Sequence, residues 1–138
     1  VLLSEISGLL LEKNLELGQV KNQIKGIQKH IQAFVSKKQK FVVGQTEAEA
    51  HLQTLQKSPV VVLSEFRFVK DMLKTFVLHI AKTELEIKEA HYTLEMLQSK
   101  EKILKSEIET LSKSEERALN NILEFPIQHD TRPSEEKD

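Results

Sequence analysis

The amino-acid sequence predicts an all-α fold: a long antiparallel two-helix coiled-coil hairpin that packs into a larger helical bundle with partner helices. Three observations predict it. An apolar seven-residue repeat runs through two long segments, chain breakers are scarce inside them, and a single Ser-Pro step separates them. With Gly 4 and Pro 3 in 138 residues, the chain has too few turn formers for a sandwich or an α/β domain, which need one every ten residues or so. Charged residues at 30% and aromatic residues at 5% suit long helices with solvated sides.

The first helix is predicted over residues 1–56. Its a positions are Leu3, Leu10, Leu17, Ile24, Ile31, Lys38, Gln45 and Leu52, and its d positions are Ile6, Lys13, Val20, Ile27, Phe34, Phe41, Ala48 and Leu55. All but Lys13, Lys38 and Gln45 are apolar, a run of heptads far longer than chance patterning supplies. At about 1.5 Å per residue such a helix is on the order of 80 Å long.

Residues 57–59 form the predicted bend. Pro59 disfavours helical geometry in the residue before it, while Ser58 as N-cap and Pro59 at the first helical position make a good start for a second helix. That helix is predicted over residues 60–125. Its a positions are Phe66, Leu73, Ile80, Ile87, Leu94, Glu101, Ile108, Glu115 and Ile122; its d positions are Val62, Val69, Phe76, Thr83, Ala90, Leu97, Leu104, Leu111, Ala118 and Phe125. Pro126 is expected to end it, leaving residues 126–138 as a flexible polar tail.

Two helices of similar length joined by a short breaker fold back on each other. A bend near Lys57 pairs Leu3 with Leu111, Leu10 with Leu104, Leu17 with Leu97, Ile24 with Ala90, Phe41 with Leu73 and Ala48 with Phe66. It also sets Lys13 opposite Glu101, so the two most awkward seam charges meet as a register-setting ion pair. A slide by one heptad leaves both against aliphatic residues, which is unfavourable. Flanking charges point the same way: Lys21, Lys25 and Lys29 fall beside Glu84, Glu86, Glu89 and Glu95, and Glu12 and Glu16 fall beside Lys100, Lys102 and Lys105.

Not every apolar residue fits one seam. Leu11 and Leu15 near the start of helix one, Val35, Val42 and Val43 towards the bend, and Phe68, Leu78, Leu85 and Tyr92 on helix two lie off it. Val43, Leu78 and Leu85 occupy position f, the one farthest from the seam. An apolar surface wider than a and d means more than one neighbour, so these nine residues are the predicted partner-binding faces. All four glycines, Gly8, Gly18, Gly26 and Gly44, lie in helix one off its seam. Each costs up to about 1 kcal/mol of helix stability, so helix one leans on packing with its surroundings.

Several chemistries are excluded by spacing. No two of His30, His51, His79, His91 and His129 lie three or four apart, so no helix offers a pair of metal ligands. Cys is absent, as are a G-x-S-x-G elbow and a Gly-rich phosphate loop, and no catalytic or cofactor-binding residue is expected. The lack of Cys suits a reducing compartment. Residues 1–57 hold eight Lys and five Glu, and Lys37, Lys38 and Lys40 form the one basic cluster. Without Arg or aromatic stacking residues beside it, that cluster argues against nucleic-acid binding. No stretch approaches a membrane span, and the opening residues lack the basic flank of a signal peptide, so an intracellular setting, cytoplasmic or nuclear, is expected. A first residue of Val, already in heptad phase, suggests a segment of a longer polypeptide.

The functional expectation is a non-enzymatic structural adaptor or scaffold. Such a subunit uses a coiled-coil rod to bind partner proteins in a cytoskeletal, kinetochore, ciliary or tethering-type assembly. Its partners are other helical or coiled-coil proteins or a second copy of itself, with no small-molecule substrate. Two alternatives are a self-associating dimer of hairpins and a prefoldin-like holdase chaperone. The latter needs strands at Phe41–Gly44 and Val60–Val69, where propensity allows them; the unbroken heptad phase of Gln45–Lys57 opposes it.

Overall fold

The computed structural model describes residues 2–60 and 62–128, with side chains as far as Leu123. Two helices, α1 (Leu3–Lys57) and α2 (Leu63–Gln128), pack against each other as an antiparallel hairpin. No strand occurs among the described residues. Phe41–Gly44 lie inside α1 and Leu63–Val69 inside α2, so the segments in which propensity allowed strands follow the heptad phase instead. By contact the chain divides into two compact units. Unit 1 joins the chain up to Ile24 with the chain from Met96 onward, and unit 2 is Lys25–Glu95.

Helix ends follow the backbone's demand for partners. Leu2 caps α1: its carbonyl accepts from the amides of Glu5 (3.0 Å) and Ile6 (3.1 Å), and the Glu5 carboxylate accepts the Leu2 amide at 3.1 Å. This reciprocal arrangement satisfies donors that the first turn leaves free. At the other end Ser58 closes α1 rather than opening α2. Its amide donates to the Leu55 carbonyl (3.3 Å), and its hydroxyl donates to the Val60 carbonyl (2.9 Å) while accepting the Val60 amide (3.4 Å). The role of α2 cap falls to Val62, whose carbonyl accepts the Phe66 amide at 3.0 Å. The connection is therefore Ser58–Val62, longer than the expected 57–59. A second correction concerns Pro126, which lies inside the last turn of α2. A proline has no amide hydrogen to donate, a loss that so near a helix end is confined to a single turn. The rest of the expected tail, residues 129–138, lies outside the described residues.

The seam itself agrees with the heptad reading. Every a and d residue whose side chain is described is buried or half-buried, apart from Val62 and Ile122 at its ends. In unit 1 the buried core is Ile6, Val20, Ile24 and Leu104; in unit 2 it is Ala48, Val69, Ala90 and Thr83. Thr83 is tolerated there because its hydroxyl donates to the His79 carbonyl at 2.8 Å, so no polar group is left unsatisfied.

The register differs from the expected one, and the same displacement is found in each unit taken by itself. In unit 1 Lys13 Nζ lies 3.2 Å from Glu107, not on Glu101, which instead takes Lys105 of its own helix at 3.7 Å. Ser7 donates to Glu115 at 3.0 Å. In unit 2 Phe41 stacks on His79 at 4.8 Å rather than meeting Leu73, and Gly44 lies against the Phe76 ring. Glu84 and Glu86 pair with Lys38 (3.1 Å) and Lys37 (3.7 Å) in place of Lys21, Lys25 and Lys29. Of the expected flanking contacts, Glu16 with Lys100 is present at 3.6 Å.

The longer connection accounts for this slide. Its midpoint is Val60 rather than Lys57, and each residue of displacement moves the facing residue by two; within unit 2 three residues therefore move the partner of Phe41 by six, from Leu73 to His79. That is within a residue of one heptad, the slide that keeps both seams in phase. The desolvation cost expected for Lys13 and Glu101 is avoided because both side chains are long and only half-buried, and their charged ends reach sideways to a neighbour. A double-mutant cycle tests the assignment. Lys13 and Glu107 are expected to couple by about 0.5 kcal/mol in chemical unfolding, as partly exposed pairs do, and Lys13 and Glu101 by much less.

Candidate functional site

Position f recurs every seven residues, or close to two full helical turns, so f residues of successive heptads align along the side of a helix away from its seam. In unit 2 that side of α2 carries Leu78, Leu85 and Tyr92, which are 70%, 57% and 66% exposed. Phe68 is exposed one heptad nearer the bend, at position c. On α1 of the same unit Val35 and Val43 are exposed and Val42 is half-buried. Of the seven unit 2 residues predicted to bind partners, six thus stand on the surface; Val42, at position e, is partly covered by the hairpin.

A groove of about 490 Å³ adjoins Leu78. Leu52, Leu73 and Val77 line it together with Leu78 and the side chains of Lys70 and Lys74. Leu52 and Leu73 read from sequence as seam residues alone. Their second role has no sequence signal, because whether a two-helix seam stays open along one edge depends on how the helices are set against each other, and no third helix closes it. The Lys70 ammonium also lies 5.5 Å from the centre of the Phe66 ring, a cation–π approach that holds a positive charge at the bend end of this surface.

In unit 1 Leu11 and Leu15 are four apart, and both are exposed. They thus lie close together on one side of α1. Gly8 and Gly18 flank them, and a Cβ built at either position would meet nothing within 4 Å. On α2 of the same unit Ile103, Leu119 and Leu123 are exposed. The predicted Lys13–Glu101 pair does not form, as described above; Lys13 and Glu107 instead line a smaller groove of about 360 Å³ with Leu9, Ser106, Thr110 and Leu111.

Among the described residues, no three His, Asp or Glu side chains come together in a group able to hold a metal ion. No helix there is long and apolar enough to cross a membrane. The four described Lys–Glu pairs between the helices join half-exposed or exposed side chains, so each contributes a few tenths of a kcal/mol and acts on alignment more than on stability. Comparisons with protein-family models, with curated proteins and with solved structures each gave no match.

Proposed function

We propose that this chain is a non-enzymatic scaffold subunit that binds other helical proteins through the outer faces of its coiled-coil hairpin, within a cytoskeletal, kinetochore, ciliary or tethering-type assembly. The observation that supports this reading is the run of large apolar side chains at positions remote from the seam, above all Leu78, Leu85 and Tyr92. Scattered exposed apolar residues are ordinary on a protein surface, but an aligned row along one helix side is how helices present themselves to another helix. One apolar groove open to solvent adjoins that row at Leu78, which suits side-chain insertion by a neighbouring helix.

Photo-reactive residues placed singly at Leu11, Val43 and Leu78 test the reading in cells. Each is expected to cross-link to a helical chain, another protein or a second copy of this one, whereas the same group at Lys29, a polar residue also at position f, is expected to give little. Equal yields from all four positions would remove the case for dedicated docking faces.

A further inference from the structure

We infer that the outer row of α2 in unit 2 is covered by a second copy of this chain, which lies antiparallel across it with a two-fold axis at Leu85. The inference rests on the scaffold reading above and names one occupant for one of its faces.

The row is symmetric about its centre. Leu78 and Tyr92 each stand seven residues from Leu85, so a second α2 running the opposite way sets Leu85 on Leu85 and each Leu78 against a Tyr92. Symmetric self-association needs this kind of self-complementary patch. A Leu facing a Tyr also joins a compact apolar side chain to a broad ring whose hydroxyl can remain in water.

The charges on both flanks follow the same symmetry. On one side of the row lie Lys74, Ala81, Lys88 and Glu95; on the other lie Thr75, Lys82, Glu89 and Met96. The half nearer the bend therefore carries Lys74 and Lys82, and the half farther from it carries Glu89 and Glu95 with Lys88 between them, which in an antiparallel pair falls beside Ala81. When two such helices cross antiparallel, like flanks face each other, so Lys74 comes beside Glu95 of the other copy and Lys82 beside its Glu89. Each contact occurs twice. A parallel arrangement would instead bring opposite flanks together, leaving Lys74 beside Thr75 and Lys82 beside Ala81, with Lys88 beside Glu89 as its one opposite-charge contact. None of Lys74, Lys82, Glu89 and Glu95 forms an ion pair among the described residues, so their charges are available for this use.

The area limits how strong the contact is. From Lys74 to Glu95 the row extends about 30 Å, which places the buried surface at the lower end of what specific interfaces use. The dimer is accordingly expected to be weak and to exchange with monomer as concentration changes.

Sedimentation equilibrium of the full chain over a wide concentration range, with helicity followed by circular dichroism, tests the proposal. The chain is expected to dimerise reversibly. Leu85→Asp places two carboxylates on the axis and is expected to weaken the dimer roughly 100-fold or more with helicity unchanged. Lys82→Glu and Glu89→Lys, each doubled by symmetry, are each expected to weaken it about tenfold, while the two together restore it. These exposed substitutions keep the test open even if Leu85→Asp disturbs folding. Tyr92 is the one Tyr and Trp is absent, so intrinsic emission reports on this contact directly and is expected to become less quenchable as dimer forms.

A chain that remains monomeric at all concentrations overturns the proposal, as does a dimer indifferent to Leu85→Asp or one that the paired charge reversal fails to restore. Monomer that still cross-links to other proteins from Leu11 and Val43 defeats the second copy and leaves the scaffold reading standing. Loss of both signals defeats both.

Discussion

Replacing Leu104 with Ala should lower the stability of the hairpin by about 2–4 kcal/mol in urea unfolding followed by far-UV circular dichroism. Leu104 is 3% exposed and shares unit 1 with the buried Ile6, Val20 and Ile24. A two-helix seam has few layers and no surrounding shell to collapse into a vacated space, so most of the lost contact remains lost. The adjacent Ile103 supplies an internal comparison, because it is 60% exposed about 100° round the same turn. Ile103→Ala should change stability by no more than about 0.5 kcal/mol. Equal effects at the two positions would mean that α2 does not present Leu104 to α1, and the heptad assignment of unit 1 would fall with it.

The glycines of α1 should divide into two classes of opposite sign. A Cβ added at Gly8, Gly18 or Gly26 meets nothing within 4 Å, so the helix-forming advantage of Ala is gained without a steric penalty. The triple variant to Ala should therefore raise stability by about 2–3 kcal/mol, close to 1 kcal/mol for each site. At Gly44 the added carbon would stand 2.6 Å from Cζ and 2.7 Å from Cε1 of Phe76, which forces the ring to move. Overpacking of this kind costs about 1–3 kcal/mol and outweighs the gain in helix propensity. Gly44→Ala should thus be destabilising by about 1 kcal/mol, and Phe76→Leu in the same chain should recover part of the loss. Thermal and urea unfolding of the single and triple variants would decide the matter; a stabilising Gly44→Ala would show that Phe76 does not pack where it is described.

Much of this was legible in the residues themselves. The positions of the two helices, their seam residues and the off-seam apolar residues all follow from side-chain type and spacing. Burial at a and d depends only on a helix having a neighbour, whichever residue that neighbour presents. The glycines were legible as costs to α1, but Gly44 does not differ from the other three until Phe76 is known to lie over it. The open groove beside Leu78 was likewise hidden, since Leu52 and Leu73 satisfy the seam pattern whether or not the seam is closed along its edge.

The sequence by itself determined that two helices form, that they fold back near Ser58, and which side of each is buried. A seven-residue apolar period sets a helix with one apolar seam, a breaker between two such segments sets the fold-back, and those conclusions survive any slide by a whole heptad. Only the tertiary structure decided which slide is adopted. Two registers one heptad apart bury nearly the same apolar residues, and charges on long flexible stems such as Lys13 and Glu101 find partners in either, so the difference in pairing energy is small. In unit 2 the choice goes with features near the turn: the distance between the ends of α1 and α2, the stacking of Phe41 on His79, and the Phe76 ring lying over the one glycine that leaves it room.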